Sequence, residues 1–204
     1  MTAVTGRAER AELEGGARRL ILDHAARLLR SNGYHQTSLR EIAEAVGIRK
    51  ASLYHHFRSK EEIVEAVVND GVRFVHEAVS AALEVAGAAD PHRRLEAAIA
   101  AHLSALHGHS DYTSASIKVF SFGENNPAPE SVRRIRRGYD DLWRALIDEL
   151  ASAGTLTPGV APERLRLFLL GAMNGSVDWY RAGRFDIAQL AGELAGLVGA
   201  RRDS

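Results

Sequence analysis

Apolar residues recur along nearly the whole chain at intervals of three and four, and this period constrains the fold most, since it builds one apolar face on a helix and mixes the faces of a strand. Ala17, Leu20, Ile21, His24, Ala25 and Leu28 form a first stripe that Asn32-Gly33 ends, glycine being able to take the left-handed conformation past a helix terminus. Ser38 opens a second helix, with Glu41 three residues on completing a capping box, a stripe of Leu39, Ile42, Ala43 and Val46, and Gly47 closing it. A third helix is expected from about Lys50 to Phe57. A fourth begins at Ser59, again boxed through Glu62, and runs to about Val85.

Beyond the Gly87–Pro91 break the stripes lengthen. Leu95, Ile99, His102, Leu103 and Leu106 mark one helix, and a less regular piece follows from about Tyr112 to Phe122. Ile135, Tyr139, Leu142, Leu146 and Leu150 mark the next, then Leu165, Phe168, Leu169, Ala172, Ser176 and Trp179 (about 162–182), then Ile187, Leu190, Ala191, Leu194 and Val198 (about 186–200). Sustained period-two alternation, fixed-period repeats and low-complexity linkers do not occur, so the expected fold class is all-α. The expected division is a tail at 1–16, flexible because it mixes charges without an apolar stripe, a small helical module at 17–60 and a helical body at 61–204.

With no cysteine, disulfides, thiolate metal sites and cysteine nucleophiles are excluded. The opening MTAVTGRAERAELEGG lacks the apolar core of a signal peptide and no apolar run approaches a bilayer span, so a cytoplasmic protein without membrane association is expected. The 26 basic residues balance 26 acidic ones, but unevenly along the chain. From Ala17 to Lys60 there are nine basic residues (Arg18, Arg19, Arg27, Arg30, Arg40, Arg49, Lys50, Arg58, Lys60) against Asp23, Glu41 and Glu44, a net of +6, which leaves −6 for the rest. That asymmetry fits a small module facing a polyanion, attached to a body with another task.

Residues 38–57 have the layout of a helix-turn-helix. Ala43 is small where two helices cross, Gly47 sits in the turn and Leu53 is a buried anchor, while Arg49, Lys50, Ser52, Tyr54, His55 and His56 offer the cationic and hydrogen-bonding groups that phosphates and major-groove edges require. An ordinary packed helix pair would share the spacing but leaves the coincident positive charge unexplained.

From Leu20 to Val64 the chain resembles the N-terminal domain of the TetR family of bacterial transcriptional regulators, through Gly33-Tyr34, Thr37-Ser38, Ile42-Ala43, Gly47-Ile48, Leu53-Tyr54-His55-His56-Phe57 and Lys60. Arg49 stands where many relatives carry a serine N-cap, and Ala51 where glycine is frequent. The resemblance implies an N-terminal helix-turn-helix domain, a C-terminal helical bundle for ligand binding and dimerisation, and a homodimer on a near-palindromic double-stranded operator. It further implies phosphate contacts from Thr37, Ser38, Tyr54, His55 and Lys60, with Arg40 and Arg49 on the same DNA-facing surface and Lys50 and Ser52 reading base edges. A member of this family is a ligand-responsive regulator, most often a repressor, and no enzyme.

In the body, residues 171–184, GAMNGSVDWYRAGR, are similar to a TetR subgroup with a GAMNW…WY pattern that includes acyl-CoA-sensing repressors of fatty-acid and steroid breakdown; here Gly175 replaces the tryptophan. Met173, Asn174, Asp178 and Trp179 are therefore candidate ligand contacts, joined by Phe120, Tyr139 and Trp143, although each would also serve as plain core. A small hydrophobic or acyl-CoA-like effector is the expected partner. Small residues on the last two helices (Gly171, Ala172, Gly175, Ala188, Ala191, Gly192, Ala195) suit close helix packing, within one chain or between two. Arg133, Arg134, Arg136 and Arg137 would dock a phosphate or, as i, i+4 pairs Arg136–Asp140 and Arg137–Asp141, simply decorate a solvated face. His102, His107 and His109 do not share a helical face, and neither a metal nor another cofactor is expected. A helical ligand carrier or interaction module without DNA binding is the alternative reading.

Overall fold

The computed structural model describes residues 2–108, 111–119, 129–156 and 158–199, with side chains described from Gly15 onward. Its elements are α1 (Thr2–Asn32), α2 (Leu39–Val46), α3 (Lys50–Leu53), α4 (Lys60–Ala86), α5 (Pro91–His107), α6 (Asp111–Lys118), α7 (Glu130–Ser152), α8 (Pro162–Trp179) and α9 (Ile187–Val198). No strand occurs among the described residues, so the fold is all-α, an N-terminal helix-turn-helix followed by a helical bundle.

Local chemistry sets the boundaries. Gly33 adopts φ +75° and its N–H returns to Leu29 O, ending the packed part of α1. Ser38 caps α2 with the expected box, its hydroxyl accepting from Glu41 N at 3.2 Å while Ser38 N donates to the Glu41 carboxylate at 2.7 Å. Gly47, at φ +78°, closes that helix with its N–H on Ala43 O and Glu44 O. Asp90 and Asp186 cap α5 and α9 through their carboxylates, and Pro91 and Pro162 start α5 and α8 where a missing N–H costs nothing.

Three elements depart from the periodicity. The segment 1–16, expected as a flexible tail, is helical from Thr2 and continuous with α1; Ala, Glu and Arg propagate a helix without an apolar stripe once a packed helix adjoins them. On α1 the buried face is Ile21, Leu22, Ala25, Ala26 and Leu29, rotated from the expected stripe, and Leu20 is 46% exposed. The helix expected over Lys50–Phe57 is regular only to Leu53, after which tighter turns (His56 N to Leu53 O, 3.0 Å) carry the chain to Phe57, whose buried ring fixes the exit.

Two buried clusters share α4. The first gathers Ile21, Leu29, Ile42, Leu53 and Phe57 with Ile63, Val64, Val67 and Val68 from the first half of α4. It also takes in Tyr112 and Ala115 of α6, Val119 just beyond it and Val132 of α7, so it crosses the division expected at residue 60. The second gathers Val75 and Val79 of α4 with Leu95, Ile99 and Leu103 of α5, Trp143 and Leu146 of α7, Leu169 and Met173 of α8, and Ala191 and Ala195 of α9. Each large apolar side chain so buried contributes about 1.5–3 kcal/mol of transfer free energy. Between the clusters Gly71 lets α4 and α6 touch: a Cβ there would lie 2.3 Å from Tyr112 O.

Candidate nucleic-acid interface and inner cavity

The helix-turn-helix surface is built around α3. Leu53 points into the first core while Lys50, Tyr54 and His55 stay exposed, Tyr54 at 49%, with the Lys50 ammonium 6.0 Å from the Tyr54 ring centroid. Arg49 forms the N-cap position without a side-chain cap, as its replacement of serine implies, and stays exposed. Ser52 is half-buried. Ser38 is exposed at the start of α2, its hydroxyl accepting from Glu41 N. Hydrogen bonding to the Glu41 carboxylate from the Ser38 side chain and the Ser38 backbone N–H holds that carboxyl below its ordinary range. Arg40 is exposed and paired with Glu44 at 2.7 Å.

Two of the expected phosphate anchors are placed differently. Thr37 is 1% exposed and its hydroxyl donates to Gly33 O at 2.8 Å, so it stitches the α1–α2 turn and presents no hydroxyl at the surface. Lys60 turns its ammonium onto the Tyr34 carbonyl oxygen and sits 4.0 Å over the Tyr34 ring, with burial lowering its pKa. Tyr34 in turn donates its hydroxyl to Glu61 at 3.0 Å. The Tyr34 latch, which ties the α1–α2 turn to the start of α4, has no periodic signature and was legible only as one letter of a family motif.

The body contains a cavity of about 570 Å³. Val72 and Val75 of α4, Leu106 of α5, Ile117 of α6 and Leu167 and Leu170 of α8 form apolar wall. The polar lining comes from His102, from Thr113 and Ser116 of α6, from Arg133, Arg136, Arg137, Tyr139 and Asp140 of α7, and from Asn174 of α8.

Of the ligand contacts suggested by sequence, the structure brings Tyr139 and Asn174 to this cavity. Trp143 and Met173 are fully buried in the second core and do not line it, while Asp178 and the 48%-exposed Trp179 are exposed at the end of α8, outside the lining. Phe120 lies outside the described residues. Asp178 lies one turn beyond Asn174 on α8 and does not reach the cavity, while Trp179, five residues on, projects to another side of the helix.

Sequence spacing gives His102 as a position on an apolar helical stripe and as a rejected metal ligand, and carries no signal for Thr113 and Ser116. Among the described residues no group of three or more His, Asp or Glu gathers as a metal site. His102 instead shares a 2.7 Å hydrogen bond between Nδ1 and the Tyr139 hydroxyl, with the two rings stacked 6.1 Å apart. Burial drives the His102 pKa down to about 4, against a smaller opposing effect of Asn174, and pushes the Tyr139 phenol up. His107, lower on the same helix, bonds Ser176 through Nε2 at 2.7 Å and stacks on Tyr180 at 3.9 Å.

The arginine cluster divides. Arg133 and Arg137 pair with Glu130, at 2.5 and 2.7 Å, and Asp141 pairs with Arg144, so the expected Arg137–Asp141 pair does not form. Asp140 meets Arg144 at 3.1 Å and the buried Arg166 of α8. Arg136 is half-buried in the lining, donates to Ser116 O at 3.2 Å and has its pKa lowered by burial.

Cavity and helix-turn-helix are joined directly. α6 lines the cavity through Thr113, Ser116 and Ile117, while its first residues grip α1: Asp111 pairs with Arg30 at 2.6 Å and Arg27 at 3.7 Å, and the Tyr112 hydroxyl donates to Asp23 at 2.7 Å. An exposed-basic helix-turn-helix mounted on a bundle with an inner cavity defines a one-component DNA-binding regulator of the helical class.

Comparison with known proteins places the chain within that class. Residues 21–67 match the model of bacterial regulatory proteins of the tetR family, and residues 88–200 match that of the tetracyclin repressor-like C-terminal domain. The second match alone spans more than half of the chain, and the chain belongs to the TetR family, whose members are transcriptional regulators and not enzymes. It is 26% identical over 175 residues to the HTH-type transcriptional repressor KstR2 of Rhodococcus jostii strain RHA1, covering 83% of this chain and 82% of the relative. Among solved structures it is similar to AibR in complex with isovaleryl coenzyme A and operator DNA (TM-score 0.75, 26% identity, 90% of this chain and 98% of that one). It is also similar to the superantigen PfiT (TM-score 0.69, 31% identity, 90% and 96%). Among the described residues no helix is long and apolar enough to cross a membrane.

Proposed function

We propose that this regulator is a cytoplasmic repressor that binds a near-palindromic operator as a homodimer and releases it when a small hydrophobic or acyl-CoA-like effector enters the body cavity. The observation that carries the reading is the double role of α4 and α6, which line the cavity and pack into the helix-turn-helix core. A ligand that favours one spacing of these helices therefore biases the position of α3, and only such differential binding moves the equilibrium.

On the DNA side, Lys50 and Ser52 read base edges, while Ser38, Arg40, Arg49, Tyr54 and His55 hold phosphates. Lys60 contributes a positive charge at the start of α4 and, through Tyr34, the geometry of the turn. Thr37 acts indirectly, by fixing the turn before Ser38.

Dimerisation is assigned to the outer faces of α8 and α9. Phe168, Trp179 and Leu197 are 63%, 48% and 71% exposed, and Ala172, Gly175 and Gly196 between them are small and exposed, a surface that a second copy would cover with close helix contacts. The effector class follows from an apolar cavity with Arg136 in its wall and Arg133 and Arg137 beside it, which suits an acyl chain attached to a phosphate-bearing carrier. AibR, solved with an acyl-coenzyme A and its operator, supports the same class.

The test is release: operator-bound protein is titrated with acyl-CoA thioesters from isovaleryl- to decanoyl-CoA. At least one is expected to weaken operator affinity tenfold or more, and unchanged affinity at saturating thioester would overturn the effector assignment.

A further inference from the structure

The polar groups of the cavity do not all have the same freedom. Thr113 gives its hydroxyl hydrogen to Ala105 O and Ser116 gives its own to Thr113 O, while Arg137 and Asp140 are held in ion pairs. His102 is the exception. It is 2% exposed and lines the cavity, and its Nδ1 is engaged by Tyr139, but its Nε2 is fully buried with no hydrogen-bond partner. Asn174 lines the same cavity and its amide stands near enough to the ring to raise the His102 pKa, but it makes no hydrogen bond of proper geometry with Nε2. A buried imidazole nitrogen without a partner, beside a primary amide in the cavity lining, is a recognition element lacking its complement.

We propose that the effector carries a neutral oxygen function, a hydroxyl or a ketone, on the part that enters the cavity, and that His102 Nε2 and Asn174 select for it. The inference rests on the cavity being the effector site.

The protonation logic fixes the chemistry. If the Tyr139 hydroxyl donates to Nδ1, the neutral ring carries its hydrogen on Nε2 and needs an acceptor, which a ketone or hydroxyl oxygen supplies. If Nδ1 donates to Tyr139 instead, Nε2 needs a donor, and a hydroxyl supplies that as well. Asn174 offers both a donor pair and an acceptor, so it completes either arrangement. A saturated chain completes neither and leaves Nε2 without a partner. A carboxylate is disfavoured at this spot, because burial keeps the imidazole neutral.

The test uses the full-length protein and matched thioesters: octanoyl-CoA, and octanoyl-CoA bearing a hydroxyl or ketone at carbon 3, 5 or 7. Affinity is read by calorimetry for wild type, Asn174→Leu and His102→Phe, with operator binding confirming that each variant is folded. At least one oxygenated thioester is expected to bind about tenfold more tightly than octanoyl-CoA, the worth of one good buried hydrogen bond. In both variants the advantage should fall below about threefold. The proposal is overturned if octanoyl-CoA binds as well as the best oxygenated probe, or if the preference survives both substitutions. If no thioester binds, the acyl-CoA reading above fails. The oxygen preference is then decided with cyclohexanol and cyclohexanone against methylcyclohexane by thermal shift; equal shifts would overturn it.

Discussion

At the residue scale, the sharpest consequences come from side chains that turned inward. Lys60, assigned above as a positive charge facing DNA, is also a strut on Tyr34, so Lys60→Ala should weaken binding to every DNA sequence, flatten its salt dependence and cost about 1 kcal/mol of stability through the lost hydrogen bond. Lys50, exposed on α3, has no such strut. Lys50→Ala should leave the unfolding midpoint unchanged and relax sequence preference, with about 1–3 kcal/mol of discrimination lost at one base pair. Equal losses on all sequences would contradict its assigned role.

His102 supplies a pH dependence. Its pKa falls from an ordinary 6.5 to about 4 in the folded chain. Above pH 6.5 both states hold the ring neutral; below it the unfolded chain takes up a proton that the folded chain refuses until about pH 4. Stability from this group is therefore present at neutral pH and is lost as pH falls through that window, by roughly 3 kcal/mol. His107, whose pKa burial also lowers, acts in the same direction. Urea unfolding of wild type and His102→Phe at pH 7 and pH 4.5 should show a smaller pH-induced loss in the variant, and an identical loss in both would refute the assignment.

At the element scale, α6 is the short link between cavity and DNA-binding core. Asp111→Asn weakens its grip on Arg27 and Arg30, and Tyr112→Phe removes its bond to Asp23. The double variant should bind effector and operator nearly as wild type does, yet lose most of the effector-induced release, because the contacts that make the two sites share one equilibrium are gone. Fluorescence titration of operator release reads this directly; full release in the double variant would assign the coupling to α4 alone. Gly71→Ala should destabilise the protein by about 1–3 kcal/mol, since a Cβ meets the Tyr112 carbonyl.

Elements show where sequence was informative and where it was not. Ser38, Gly47 and Leu53 act within their own turns, so their spacing told their roles: cap, left-handed turn and anchor. Periodicity also found every long helix, but not which apolar face meets the core. On α8 the expected stripe mixed Leu165 and Leu169, which are buried, with Phe168 and Trp179, which are exposed, because this helix has two apolar faces. The cavity was the least legible part. His102, Tyr139 and Asn174 lie on three helices, and their meeting depends on how those helices pack, which no local spacing encodes. A buried Arg166 facing Asp140 could not be told by type from its solvated neighbours.

At the scale of the whole molecule, two cores share α4, and an uncovered apolar face runs along α8 and α9. Covering Phe168 or Leu197 with a second copy is worth up to about 1.5–3 kcal/mol for each side chain. Phe168→Glu should therefore give a folded monomer in sedimentation, with operator affinity greatly reduced because the two half-sites are no longer engaged together.

The central claim is that the positive helix-turn-helix reads a particular DNA site. Selection of genomic fragments by the purified protein, repeated across a salt series, tests it most directly. One near-palindromic site should be enriched, with affinity falling about a thousandfold between 50 and 200 mM salt. Salt-sensitive binding with no enriched site, or no binding at low salt, would contradict the account.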